Sequence, residues 1–166
     1  MILNYEYYKE IILFAIQKFR STVIQYTRSN KILDDYEIIM KIVKYEGGLI
    51  RHASPRLKAN RDIVMAAVKS NGNALAFTSY FHDDKEIAMI AVNTNGNAIN
   101  YISKELKTRD LVMAAVKNNG KTLEYVSEYN NDQDVVIAAV NNDGEALQFA
   151  SINLKAKKRC SYEGSK

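Results

Sequence analysis

Four serines recur at one position of a repeating pattern and are the residues that first suggest catalysis: Ser79, Ser103, Ser127 and Ser151. A serine hydroxyl becomes a nucleophile when a neighbouring base, most often histidine, takes its proton. The chain contains two histidines, His52 and His82, and neither accompanies this serine column. We therefore expect each hydroxyl to bond back to a main-chain carbonyl one turn earlier, with no nucleophilic role.

Other catalytic arrangements are missing from the sequence as well. It has no glycine-rich phosphate loop and no metal-type spacing of His, Cys or Asp. The adjacent carboxylates Asp83 and Asp84 are better explained as a loop residue and a helix cap. A single cysteine, Cys160, excludes an internal disulfide framework and fits a reducing compartment. We expect a protein that is not an enzyme and uses no cofactor or metal, because catalysis would need residues that meet across repeats.

Three basic residues occupy one position in successive units and could contact phosphate: Arg61, Lys85 and Arg109. Gln133 interrupts this basic column, and an acidic residue directly follows each of its members. The net charge is +4, and residues 155–159 are mostly basic. Phosphate contacts would make binding weaken steeply with salt. Nucleic-acid binding through the basic column and the basic tail is therefore the alternative function, although a solvated tail is the more ordinary interpretation.

These residues are positioned by a repeat that five glycines mark: Gly47, Gly72, Gly96, Gly120 and Gly144, at spacings of 25, 24, 24 and 24 residues. Self-similarity at a fixed period of a few tens of residues is typical of solenoid proteins. We expect each glycine to end a helix in the left-handed conformation. The polar residue before each of the last four glycines should bond local main chain.

Each unit begins with two helix-start signals. A cap-forming side chain stands two residues before an acidic one, and the cap positions are Asp35, Asn60, Asp84, Thr108 and Asp132. A six-residue apolar run follows in the last four units: 63–68, 87–92, 111–116 and 135–140. Six residues point in every direction around a helix, so this A helix should be buried on most sides. A buried strand would give a similar run, but the caps and the glycine favour a helix.

A second helix, the B helix, is expected directly after each glycine. Leucine or isoleucine forms one core column, and aromatic residues form another that we interpret as a packing ladder: Phe77, Tyr101, Tyr125 and Phe149. The outward stripe of the B helices differs between units while the core positions agree. It contains the candidate interaction surface: Asn73, Tyr80, Asn97, Asn100, Lys104, Lys121, Glu124, Glu128, Glu145 and Gln148. Contacts specific to each unit and drift on an unconstrained surface explain this variation equally well.

The fold class that we predict is all-α, an α-solenoid of about five 24-residue helix-turn-helix repeats with an atypical N-terminal capping helix. Residues 1–34 would form N-terminal capping helices that make up a degenerate repeat. Residues 35–154 would form the array, and residues 155–166 a basic polar tail. The five predicted units, called repeats 1 to 5 below, are 35–58, 59–82, 83–106, 107–130 and 131–154.

The unit pattern acid-x-V-x-A-A-V-x-x-N-G-x-A-L-x-aromatic-x-S resembles the repeats of the domain-of-unknown-function family DUF4116. The likeness is close in Asp62–Ser79, Glu86–Ser103, Asp110–Ser127 and Asp134–Ser151, and weaker in Glu37–Ser54. The resemblance implies a tandem helical repeat protein and supplies no catalytic residues. The family occurs in bacteria associated with protist hosts, in protists and in giant viruses, which implies a host cell as one location.

The leading functional hypothesis is a non-enzymatic scaffold for protein–protein interaction, because the array offers a long, ridged surface. The partner would be another protein, with nucleic acid as the alternative. The longest N-terminal apolar run, Ile11–Ile16, is too short to span a membrane, so we expect an intracellular protein that does not bind one. The sequence identifies neither the partner nor the oligomeric state.

Overall fold

The computed structural model describes residues 5–19 and 30–156. These residues form a stack of short helices and contain no strand, so the prediction of an all-α repeat solenoid is confirmed. A helix at Tyr5–Phe19, the N-terminal helix, lies against the first repeat. The second predicted N-terminal helix, around Val23 to Tyr26, lies outside the described residues.

One ten-residue A helix opens each repeat: Tyr36–Tyr45, Arg61–Ser70, Lys85–Thr94, Arg109–Asn118 and Gln133–Asn142. One six-residue B helix follows it: Gly47–His52, Gly72–Phe77, Gly96–Tyr101, Gly120–Tyr125 and Gly144–Phe149. Shorter turns of helix complete the connections: Asn30–Leu33, Pro55–Lys58, Ser79–Phe81, Lys104–Leu106 and Ser127–Tyr129. No helix among the described residues is long and apolar enough to cross a membrane.

The predicted caps begin four of the five A helices. In each of the four, one side-chain oxygen accepts from the main-chain amides of the second and third helical residues, as Asp84 does from Glu86 and Ile87 at 3.0 Å. Thr108 occupies the predicted cap position of the remaining A helix, Arg109–Asn118, but its side chain does not make the expected capping bond. The first turn of Arg109–Asn118 therefore lacks the bonds that its equivalents have.

The B helix is a 3₁₀-helix rather than the α-helix implied by the prediction of a helical hairpin. A 3₁₀-helix rises about 2.0 Å per residue, against about 1.5 Å for an α-helix. Six residues therefore cover about 12 Å and nearly match the length of a ten-residue A helix. Because the 3₁₀-helix needs fewer residues for the same length, both helices and their connections fit into a 24-residue unit.

Three residues per turn also decide which side chains of the B helix are buried. Positions three apart share one face, so Gly72, Leu75 and Thr78 all point into the core. The aromatic column lies two residues after the leucine and falls on another face. Phe77, Tyr101 and Tyr125 are 42%, 36% and 45% exposed, so the interpretation of these rings as core residues is wrong. Phe149 alone of the column is partly buried against the core.

The glycines are required for a reason other than the predicted one. None of them has a left-handed φ, and each begins a B helix instead of closing an A helix. A Cβ atom at Gly96 would lie 2.5 Å from the Ala115 carbonyl oxygen of the next repeat. Gly47, Gly72 and Gly120 approach the following repeat even more closely. The glycine column is therefore a set of notches, and those at Gly47, Gly72, Gly96 and Gly120 are filled by the last turn of the next A helix.

Candidate interaction surface

The B helices of neighbouring repeats lie side by side and form one ridge of the array. Eight of the ten predicted surface residues are exposed on it, while Asn73 and Asn97 are partly buried. The ridge has two halves. The inner half is the start of each B helix, and the outer half is its end together with the short helical turn that follows it.

The inner half is used to join repeats. Asn97 accepts a hydrogen bond from the Nδ2 of Asn119 at 2.9 Å. Lys121 forms ion pairs with Asp143, at 3.7 Å, and with Glu145. These residues were predicted to face a partner, but the structure places Asn97, Lys121 and Glu145 in contacts between repeats.

The outer half carries side chains that the array does not use. It contains six of the predicted residues. Asn100, Glu124 and Gln148 lie in B helices, and Tyr80, Lys104 and Glu128 lie in the short helical turns that follow B helices. Tyr80 is 75% exposed, the largest value among the described aromatic residues. Within the described part of the chain, the side chains of Asn100, Lys104 and Glu124 take part in no recorded hydrogen bond or ion pair.

The exposed aromatic column lies beside this outer half. Phe77, Tyr101 and Tyr125 occupy the same position of three consecutive B helices and project from the ridge. Their exposure was not predicted from the sequence, because an α-helical B helix would place these rings in the core. The signal that could have shown it is a small or apolar residue three positions after each core leucine or isoleucine, namely Thr78, Ile102, Val126 and Ala150, which marks a stripe of three-residue period.

The basic column predicted to bind phosphate lies at the junctions between repeats. Arg109 donates from Nε to Asp132 at 2.7 Å and from Nη2 to Asp134 at 2.7 Å. Arg61 reaches the equivalent carboxylates, Asp84 and Glu86, at 3.2 and 2.5 Å. Both guanidinium groups are thus held between the cap and the first turn of the next A helix. A phosphate would have to compete with two carboxylates at each site.

These ion pairs lower the pKa of the capping carboxylates. The bond from Arg109, together with the main-chain amide of Val135, lowers the pKa of Asp132. Both partners of the Arg109 pairs are partly exposed to solvent. Solvent screening keeps the contribution of such pairs to the free energy of folding small. They fix the register of the repeats more than they stabilise the fold.

Lys85, the middle member of the basic column, differs from the two arginines. The residue at the cap position opposite it is Thr108, which offers no carboxylate. No ion pair is recorded for Lys85 within the described residues. Gln133, which interrupts the column, also carries no charge. The junction between repeats 3 and 4 therefore lacks both the side-chain cap and the ion pairs found at its neighbours.

A second contact between repeats was not predicted from the sequence. Asn118, the last residue of its A helix, accepts from the Gly96 amide at 2.7 Å and donates to the Asn93 carbonyl at 2.8 Å. Asn142 makes the same pair of bonds to Gly120 and Lys117. This asparagine clamp holds the glycine notch against the helix that fills it. Asn119, one residue later, caps the B helix by bonding Lys121, as the sequence predicted.

The serines of the column do not share one arrangement, since the Ser103 hydroxyl is buried without the expected bond to a carbonyl. Ser151 Oγ donates to Asn131 at 2.7 Å and accepts from the Leu154 amide, so it does not bond back as expected. The Nε2 of His82 lies 2.9 Å from the Leu75 carbonyl oxygen. Burial, with Arg51 and Lys58 nearby, lowers the pKa of His52. Within the described residues, no three His, Cys, Asp or Glu side chains are grouped to hold a metal.

Stacked two-helix units that share one core define this chain as a helical-repeat protein of the α-solenoid class. The chain belongs to a family described as "Domain of unknown function (DUF4116)", whose profile matches residues 8–58, 35–81, 60–107 and 108–155. The last two matches each span two repeats, and the first begins inside the N-terminal helix. No curated protein and no solved structure matches the chain.

Proposed function

We propose that this protein is a non-enzymatic scaffold that binds another protein along the outer half of the B-helix ridge. The observation that carries the proposal is the exposed aromatic column of Phe77, Tyr101 and Tyr125. Aromatic residues are enriched at protein interfaces because a rigid ring supplies a large contact area at low entropic cost. Three such rings at a regular spacing, supported by rigid helices, suit an extended partner segment.

The charge along the ridge suggests the chemistry of that segment. The outer half is neutral or basic in repeats 2 and 3, with Tyr80, Asn100 and Lys104. It becomes acidic in repeat 4, where Glu124 and Glu128 are exposed. Complementary charge orients a partner and accelerates its association. We therefore expect a segment with apolar or aromatic side chains that ends in basic residues opposite repeat 4.

Site-specific photo-crosslinking tests the proposal. A photoreactive phenylalanine replaces Tyr101 on the ridge, and the matched control places it at Lys117, an exposed residue of an A helix. A partner captured at Tyr101 and absent at Lys117 is then purified for titration. Replacing Tyr101 and Tyr125 by alanine should weaken saturable binding by about tenfold or more, because each ring would act as an interface anchor. Capture equal at both sites, or unchanged affinity in the double variant, refutes the proposal.

The nucleic-acid alternative is tested in the same titration format. A labelled oligonucleotide is added at low salt, where phosphate contacts are strongest. Arg61→Gln and Arg109→Gln should leave any such binding unchanged if these arginines serve only the junctions between repeats. Binding that is lost in both variants and falls steeply with salt would favour the alternative.

A further inference from the structure

The two ends of the array are complementary to each other. In the interior, every repeat fills the notch of the repeat before it and offers a notch to the repeat after it. At the C-terminal end, Gly144 has no atom within 4 Å of the position that a Cβ would occupy. Gly144 is exposed, whereas the other four glycines of the column are buried. The last notch of the described chain is formed but empty.

The apolar residues around Gly144 are also more exposed to solvent than core residues of the interior repeats. Leu147 is only partly buried, although its equivalents Leu75, Ile99 and Leu123 are 0–1% exposed. Val140 is likewise partly buried, and its equivalents Val68, Val92 and Val116 are fully buried. Ile137 is 49% exposed. An apolar face thus surrounds the notch, with the shape and chemistry that each interior repeat presents to the next A helix.

The N-terminal helix supplies the opposite face. Its residues 9–18 follow the register of an A helix, with Lys9 at the position of Arg109 and Ala15 at that of Ala115. Lys9 pairs with Asp35 at 3.0 Å and with Glu37 at 3.1 Å, the contacts that Arg109 makes to Asp132 and Asp134. This helix is therefore an A helix in its contacts with the repeat that follows it.

No element of the described residues, 5–19 and 30–156, covers the outward side of the N-terminal helix. Ile11 is 45% exposed, while its equivalents in the five A helices are 0–1% exposed: Ile38, Ile63, Ile87, Leu111 and Val135. In the interior, a preceding repeat covers this position. Tyr7 and Phe14, on the same side, are 56% and 64% exposed. Each end thus exposes the surface that the other end would bury.

We propose that the protein associates head to tail with a second copy of itself, the N-terminal helix of one copy filling the Gly144 notch of the other. Each interior glycine notch is filled by the last turn of an A helix, and the N-terminal helix has the register of an A helix. A second copy of the chain therefore carries the element that fits the Gly144 notch. The Ala15 turn would approach Gly144 as the Ala115 turn approaches Gly96. The proposal uses the ends of the array and is independent of the lateral ridge proposed above.

The polar groups at this junction are compatible with docking. Lys18 stands at the position of Asn142, so its ammonium can donate to the Asn141 carbonyl as Asn142 donates to Lys117. Gln133, at the position of Arg109, lies opposite Glu10 and brings no like charge to it. The bond to the glycine amide is dispensable, because Thr94, at the equivalent position, bonds Ile90 within its own helix. A contact of this kind is heterologous, so copies would add in open chains.

Sedimentation velocity over a range of protein concentrations tests the proposal. The wild-type protein should form a growing series of species as the concentration rises. Gly144→Val fills the notch, and Ile11→Glu places a charge on the docking helix. Each should weaken association by about ten- to hundredfold. Both positions face solvent in the single copy, so the far-UV circular dichroism and the melting temperature of each variant should match those of the wild type. If Ile11→Glu does not fold, Phe14→Glu replaces it as the N-terminal variant.

A mixture of the two variants distinguishes this arrangement from others. Each variant alone should be monomeric, but an equimolar mixture retains one intact junction and should stop at dimers. Tyr80→Glu, on the lateral ridge, is the matched control and should associate like wild type. A wild-type protein that remains monomeric at every concentration overturns the proposal. A mixture that stays monomeric also overturns it and indicates pairing of like ends, and association lost only in Tyr80→Glu indicates pairing through the ridge.

Discussion

Replacing single glycines by alanine at an interior and at a terminal notch tests how the repeats are held together. In Gly96→Ala the new Cβ would lie 2.5 Å from the Ala115 carbonyl oxygen, whereas ordinary contacts begin at 3.4 Å. The next repeat must therefore move by about 0.9 Å (3.4 minus 2.5) or its last turn must distort. Overpacking of this kind destabilises proteins by about 1–3 kcal/mol.

The shift also disturbs the asparagine clamp. The Gly96 amide donates to Asn118 at 2.7 Å, and losing a hydrogen bond to a partly buried amide adds about 1 kcal/mol. The expected total for Gly96→Ala is about 2–4 kcal/mol, a large part of the stability of a domain of this size. Gly144→Ala meets no atom within 4 Å. It should be neutral or stabilise by about 0.4–1 kcal/mol, since alanine restricts the unfolded chain.

Urea denaturation of the wild type and both variants, followed by far-UV circular dichroism in dilute solution, measures the difference. Gly96→Ala should shift the midpoint to clearly lower urea, and Gly144→Ala should not. Equal losses in the two variants would mean that the glycines are needed for their own backbone conformation. Such a result would refute the notch as the reason for the glycine column.

Three further changes probe the junctions. Thr108→Asp should supply the missing cap and a carboxylate for Lys85, and raise the free energy of unfolding by about 1 kcal/mol in urea denaturation; no gain would contradict the capping argument. Because Arg109 lowers the pKa of Asp132 below its ordinary value of 3.8, this carboxylate stabilises the fold fully above that value and less as the pH falls through its folded pKa. Arg109→Gln should therefore reduce the loss of melting temperature on acidification below pH 3.8, and an unchanged acid profile would argue against the Arg109–Asp132 ion pair as a source of stability. Asn142→Ala leaves the Gly120 amide without its partner and should destabilise by about 1–3 kcal/mol in the same urea assay, which an unchanged midpoint would disprove.

The fold could be predicted from the sequence because its signals are local and repeated. The cap at Asp84, the acidic residue after it and the apolar run each identify an A helix without reference to the rest of the chain. Repetition then implies stacking, since one unit is too small to bury its own core. The exception, Thr108, has a cap-forming type but makes no capping bond, and side-chain rotamers of this kind are not encoded in residue type.

The B helix and the candidate surface were harder to predict because they depend on geometry between repeats. A six-residue helix is too short for the sequence to show its period. At 3.6 residues per turn Phe77 would lie in the core, whereas at three residues per turn it lies on the surface. The sequence predicted where Gly96 lies in the unit, but it did not predict why a glycine is needed there. The reason is the close approach of the Ala115 carbonyl, which belongs to the next repeat. Arg61 could be recognised as a member of a column, but its carboxylate partners could be identified only from the stacked coordinates.

The notch and the clamp have a consequence for how such a chain can lengthen or shorten. Excising residues 107–130 would bring Gly96 against Ala139, a pairing that has the same residue types as the one removed. It would also place Lys85 opposite Asp132, where a charge partner that it lacks in the present chain becomes available. A whole unit can therefore be lost while the new junction keeps the residue types of the junctions already present. The units are interchangeable in this sense, and duplication or deletion can change their number.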